Sequence, residues 1–178
     1  ITGCSQDHVI YPRTSREDLE KGSPIITKAE GVRLIDQQGK TYLDLVSGWT
    51  RPVHIGYGRK EMAQAVAEQI LAMPYFTPMQ FGNPRAVELA AVLAELVPPP
   101  IAHFLFVSSG SEAVESALKL AKHYHYCRGE RARFKVVTRR GAFHGVTGGA
   151  LRVLGTVLPI RQMMEPLAPG TIFAESPY

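Results

Sequence analysis

The sequence predicts an α/β fold, a mainly parallel sheet with flanking helices, preceded by a small hairpin segment. Three observations lead there. His103 to Val107 (HFLFV) is a short apolar run with little polar interruption, the pattern of a strand buried on both faces. A helical stripe follows from about Glu112 to Tyr126, with Val114, Ala117, Leu118 and Ala121 inward and Glu115 and Lys119 paired outward. Phe134 to Thr138 then returns to strand character. Strand, helix and strand in that order imply parallel pairing through a crossover.

The remaining elements follow in chain order. Residues 1 to 30 show no period and read as an irregular arm. Val32 and Leu34, then Leu43 and Leu45, alternate with polar neighbours on either side of Asp36-Gln37-Gln38-Gly39-Lys40, which predicts a hairpin. Residues 48 to 58 (GWTRPVHIGYG) carry three glycines and a proline, so a shaped loop is expected there. From Arg59, Met62, Val66, Ile70 and Met73 recur at helical spacing until Pro74 stops them. A second helix has Asn83 as its cap, Pro84 at its first position, a stripe of Leu89, Val92, Leu93 and Leu96, and a stop at Pro98-Pro99-Pro100. Beyond Phe134 to Thr138, residues 141 to 149 form a glycine-rich turn. Ala150 to Leu154 reads as a short helix and Thr171 to Ala174 as a last strand.

Composition narrows the class. The 178 residues are 45% hydrophobic, enough for a core, which excludes intrinsic disorder. No apolar run approaches a membrane span. Two distant cysteines, Cys4 and Cys127, signal neither a disulfide framework nor a zinc ribbon, and a cytoplasmic setting is expected. The net charge of +4 concentrates between Arg128 and Arg161, where eight basic residues meet one acid, Glu130. Exposed aromatics do not interleave with them, so a solvated basic face, or one awaiting acidic residues from further chain, is favoured over nucleic acid. His123, His125 and Cys127 scatter over a helix at their i, i+2, i+4 spacing, and no metal is assigned to them.

Two turns could carry chemistry. At residues 107 to 113 (VSSGSEA) a strand ends in Ser-Gly-Ser and runs directly into a helix. Free backbone N–H groups and the positive end of a helix dipole meet there, a place for an anion. Gly110 lets a phosphate approach the backbone, and the hydroxyls of Ser109 and Ser111 add donors. Ser109-x-x-Glu112 is equally a capping box that needs no ligand, and taken alone this is the more economical reading. The second turn holds Ala142-Phe143-His144-Gly145. Successive strand-to-helix turns of a parallel sheet emerge at one edge, so both are expected to face one crevice. There Phe143 could stack on an aromatic cofactor or simply fill core, and His144 could orient a polar group or lie satisfied at the surface.

With both turns in hand, the chain resembles the class III aminotransferases, the pyridoxal-phosphate enzymes of fold type I. It is closest in pattern to the ω-amino acid:pyruvate aminotransferases. The resemblance lies in Gly31 to Ser47, Asn83 to Leu96, Val107 to Ala121 and Gly141 to Gly149, in the family's order. It implies that Ser109, Gly110 and Ser111 bind the phosphate of pyridoxal 5'-phosphate, that Phe143 stacks on its ring, and that His144 stands at the cofactor wall. Trp49 and Tyr75 fall where the family lines its substrate pocket.

The resemblance also implies a Schiff-base lysine and an acidic partner for the pyridine nitrogen beyond Tyr178. None of the seven lysines here is a credible candidate, so no catalytic residue is assigned and the fragment alone is expected to be inactive. The chain is accordingly read as an incomplete fold type I aminotransferase. Residues 1–58 would be an arm and hairpin of the small domain, and 59–178 the first part of the large cofactor-binding domain. The implied reaction moves an amino group from an amine or ω-amino acid to a keto acid such as pyruvate, in a protein that is a homodimer when full length. An aminomutase, a diamine transaminase and a non-catalytic phosphate-ligand module are the alternatives.

Overall fold

A computed structural model describes residues 8–12, 14–156 and 159–177. The chain divides into two compact units, Ile1–Thr77 and Pro78–Tyr178.

In the first unit, Ser15 starts helix α1 (Arg16–Glu20), its hydroxyl accepting from the Asp18 N–H at 3.1 Å. Strands β1 (Ile26–Glu30), β2 (Arg33–Asp36) and β3 (Thr41–Leu43) form an antiparallel sheet in that order, with Glu30 opposite Arg33 and Leu34 opposite Tyr42. The predicted hairpin is β2–β3. The supposedly irregular arm, by contrast, holds α1 and β1 among its described residues. Five residues are too few for α1 to show a helical period, and β1 (ITKAE) carries no apolar alternation to betray it.

The β2–β3 turn is closed by Asp36, which is buried. Its carboxylate accepts from the N–H groups of Gln38 (2.8 Å) and Lys40 (3.0 Å) and from the Tyr42 hydroxyl (2.9 Å). Gly39 takes the left-handed position at φ +83°, where a side chain would be strained. Helix α2 (Lys60–Ala72) completes the unit and stops before Pro74 as the sequence predicts, although Met62, Val66 and Ile70 remain exposed in this chain.

In the second unit, Asn83 caps α3 (Pro84–Leu96) by accepting from the Arg85 N–H at 2.9 Å, with Pro84 at the first turn. Helix α4 (Gly110–Cys127), strand β4 (Val136–Arg139), helices α5 (Gly148–Arg152) and α6 (Pro159–Met163) and strand β5 (Thr171–Ala174) follow. β4 and β5 pair in parallel, Val136 with Thr171 through Arg139 with Ala174, whereas the pairing expected between 103–107 and 134–138 across α4 is not formed among the described residues. Residues 103–107 are not a strand. An apolar run becomes one only when a neighbouring backbone takes its N–H and C=O groups, none among the described residues does, and Leu105 is left 75% exposed.

The core of this unit gathers where α5 meets β4: Ala150, Leu151, Val153 and Leu154 are buried. The Thr138 hydroxyl donates to the Val153 carbonyl at 2.9 Å. Arg152 is buried too, its Nε donating to Thr171 Oγ1 at 2.9 Å beside the Gly170 carbonyl. The basic stretch is therefore no uniform face. Arg152 belongs to the interior, Arg140 pairs with Glu175 at 2.8 Å, Arg161 with Glu165 at 3.0 Å, and Glu130 gathers His125, Arg128 and Arg133. Among the described residues no helix is long and apolar enough to cross a membrane.

Candidate functional site: a helix N-terminus and the turn packed on it

Helix α4 begins as its sequence dictates. The Ser109 hydroxyl accepts from the Glu112 N–H at 3.2 Å, and the Glu112 carboxylate reaches back to the Ser108 N–H at 2.7 Å. The capping box is thus real, and it does not use up the helix N-terminus. The N–H groups of Gly110 and Ser111 have no hydrogen-bond partner among the described residues, and a Cβ added at Gly110 would meet open space. The cap occupies Glu112 and Ser108, while two adjacent N–H groups at the positive end of an 18-residue helix stay available to an acceptor.

The turn from Gly141 to Gly149 lies on this N-terminus. Ser111 Oγ accepts from the Val146 N–H at 3.2 Å. Gly145, at φ +122°, sits so close that a Cβ there would collide with Ser111 Oγ and come within 3.0 Å of both Ser111 Cα and Ala150 Cβ. At the other end, the Gly141 N–H donates to the Gly155 carbonyl and the Gly155 N–H to the Ala142 carbonyl, both at 2.9 Å. Gly155 has no room for a side chain either, because its Cβ would run into the Arg139 carbonyl oxygen. The two turns pack on one another through Ser111, Gly145 and Val146, although the strand expected to carry residues 107–113 to a sheet edge is not formed among the described residues. Phe143 is 61% exposed in this chain, and His144 is half-buried.

Glu115 completes the arrangement and corrects its sequence assignment. Rather than pairing outward with Lys119, it turns to the start of α5, accepting from the Gly149 N–H at 2.7 Å. The Thr147 hydroxyl first, then the Gly149 N–H, hold its carboxyl below the usual range for a glutamate. Nothing in the local sequence signals this role, since its partners Thr147 and Gly149 lie more than thirty positions downstream and the i, i+4 pattern with Lys119 is a competing explanation.

In the first unit, Trp49 and Tyr75 are both exposed, at 82% and 77%. Tyr75 follows α2 directly. Trp49 belongs to a loop pinned at both ends. The Asp44 N–H donates to the Val32 carbonyl at 2.9 Å, and Tyr57 exchanges backbone hydrogen bonds with Gly31 at 2.8 and 3.1 Å. The Asp44 carboxylate accepts from the N–H groups of Gly48 (2.6 Å) and Val46 (3.0 Å) and from the Tyr57 hydroxyl (2.8 Å). These bonds, the Gly48 N–H foremost and then the Tyr57 hydroxyl, lower the Asp44 pKa, and the same carboxylate raises that of Tyr57. Sequence reasoning saw a shaped loop here and missed the pair that shapes it.

The candidate site is thus a helix N-terminus with two unpartnered N–H groups and an aromatic-bearing turn packed on it, and the comparisons with known proteins give the family of the chain that carries it. Residues 16–178 match the family Aminotransferase class-III, and the chain belongs to that family. It is 36% identical over 177 residues to the putrescine–pyruvate aminotransferase of Pseudomonas aeruginosa, covering 98% of this chain and 38% of that one. Among solved structures it resembles an (S)-enantioselective ω-transaminase from Thermomicrobium roseum, with a TM-score of 0.87 and 39% identity over 96% of this chain and 38% of the other. A PLP-bound amine transaminase from an uncultivated Pseudomonas species superposes with a TM-score of 0.88 and 28% identity over 98% of this chain and 39% of its own. The chain thus spans about two-fifths of the length of these relatives.

Proposed function

We propose that this chain supplies the phosphate-binding and ring-stacking part of a pyridoxal-phosphate-dependent aminotransferase, which moves an amino group from an amine or ω-amino acid to a keto acid such as pyruvate. The observation that carries the reading is the α4 N-terminus. Gly110 and Ser111 offer two free N–H groups beside open space, and the 141–149 turn is fixed against the same point. These residues fit a phosphate: backbone donors and the helix dipole favour its dianion, and the Ser109 and Ser111 hydroxyls each keep a proton to donate. Phe143, exposed on the adjoining turn, offers a face for a pyridine ring, and His144 stands beside it.

When bound, the cofactor supplies the electron sink that eases proton removal next to nitrogen. This chain's own part is to hold and orient it. Trp49 and Tyr75 would contact the amine or keto acid, with 1–58 in the small domain and 59–178 opening the large one. The covalent lysine would come from elsewhere in the full-length protein, which we take to be a cytoplasmic homodimer. The likeness to a putrescine–pyruvate enzyme makes a diamine the second donor to try.

The test is amino transfer by full-length protein loaded with pyridoxal phosphate. Alanine should form from pyruvate with an amine, an ω-amino acid or a diamine as donor. Cofactor binding without alanine from any of the three would contradict the reading.

A further inference from the structure

Ser47, Gly48, Trp49 and Arg51 have φ values of 53°, 73°, 65° and 67°. Left-handed backbone at a residue with a Cβ costs about 1–2 kcal/mol, and three such residues within five positions do not persist unless something outside them fixes the path. Ser47 Oγ is in addition buried without a hydrogen-bond partner. The β2–β3 turn in the same unit shows what an ordinary solution looks like. It too is closed by an Asp–Tyr pair, Asp36 and Tyr42, yet its one left-handed position is given to Gly39. The loop at 44–57 uses the same chemistry to hold a conformation that its sequence resists. What this holds in place is Trp49.

We infer that Asp44 and Tyr57 are positioning residues for the substrate side of the site: their carboxylate–phenol pair fixes the left-handed run and so the place of the Trp49 ring. The inference rests on the reading of Trp49 as a substrate contact given above. Three hydrogen bonds to the Asp44 carboxylate and three backbone bonds converge on the geometry. Gly48 and Val46 fix the chain just before Trp49, the Tyr57 hydroxyl closes the loop behind it, and the backbone bonds to Val32 and Gly31 tie both ends to the sheet. Gly48 is itself confined, since a Cβ there would stand 3.1 Å from Val53 Cγ2 and 3.4 Å from the Tyr57 hydroxyl. Asp44 touches neither cofactor nor substrate in this account, and its effect passes through Trp49.

The experiment uses full-length protein with Asp44→Asn and Tyr57→Phe, and with Asp36→Asn and Tyr42→Phe as controls in the sister turn. Two readouts are taken. Fluorescence anisotropy of Trp49, obtained as the difference from a Trp49→Phe background, should fall in the first pair and hold in the controls. In the amine half-reaction, kcat/KM should fall at least about tenfold in the first pair, mainly through KM, as misplacement of a substrate-orienting group does. Pyridoxal phosphate affinity should stay unchanged.

Unchanged anisotropy and kinetics in the first pair would overturn the inference, as would equal losses in the controls, which would mean that only sheet stability is involved. Tyr57→Phe removes one oxygen, so it keeps the test open if Asp44→Asn folds poorly. A wild-type protein without amino transfer would count against the proposed function, and the anisotropy result would still decide whether the pair holds Trp49.

Discussion

The loop at 44–57 and the turn at 141–149 both present aromatic residues, and they are held by opposite means. The first is held by Asp44 and Tyr57 from within and by the neighbouring sheet at its ends, and its left-handed backbone falls on Ser47, Trp49 and Arg51 as well as on Gly48 and Gly56. The second is fixed from outside, by Ser111 and Glu115 of α4, 35 and 34 positions away, and it gives its left-handed positions to Gly141 and Gly145. The difference separates two ways of building precision. A turn held by long-range contacts needs room for close approach, and glycine supplies it. A turn held by its own side chains can tolerate strain, because its clamp and its strained residues are neighbours.

The largest expected effect breaks the second turn. Gly145→Ala forces a Cβ against Ser111 and Ala150, so the full-length protein should lose about 2 kcal/mol or more in urea unfolding, with weaker cofactor binding. In the first loop the opposite holds at Ser47. Ser47→Gly removes a strained Cβ and a buried unpaired hydroxyl, and stability should rise by about 1 kcal/mol by the same measurement. Ser111→Ala deletes the acceptor for the Val146 N–H and should cost about 1 kcal/mol.

Acidification gives the smallest effect and reaches both regions. Glu115 and Asp44 have pKa values lowered by folding. Their contributions are complete above the unfolded values near about 4 and are lost as pH falls through the lower folded ones, because the unfolded state binds more protons in that window. Glu115→Gln should flatten part of this slope, read from unfolding midpoints between neutral and acidic pH.

What was legible in the sequence follows the same division. Asn83-Pro84 announced α3, the alternation around Asp36–Lys40 announced β2–β3, and Ser109-x-x-Glu112 announced the α4 cap, all because their determinants lie within a few residues. The parallel partner of Phe134 to Thr138 was readable only as a second apolar run, since nothing local names a strand's neighbour. Residues 103–107 failed for that reason: their composition asks for a sheet, and no described strand supplies the ladder. The free N–H groups of Gly110 and Ser111 were legible because a helix start exposes such groups by construction. Glu115 was not, because its role depends on a turn that tertiary folding brings to it.

The most direct test of the phosphate site is a titration of cofactor-free full-length protein with pyridoxal 5'-phosphate, comparing wild type with Gly110→Asp. A carboxylate placed between the free N–H groups and the phosphate repels the ligand and competes for its donors. The account predicts affinity at least about tenfold weaker in the variant, a change of about 1.4 kcal/mol. Indistinguishable affinities, with both proteins folded, would contradict it.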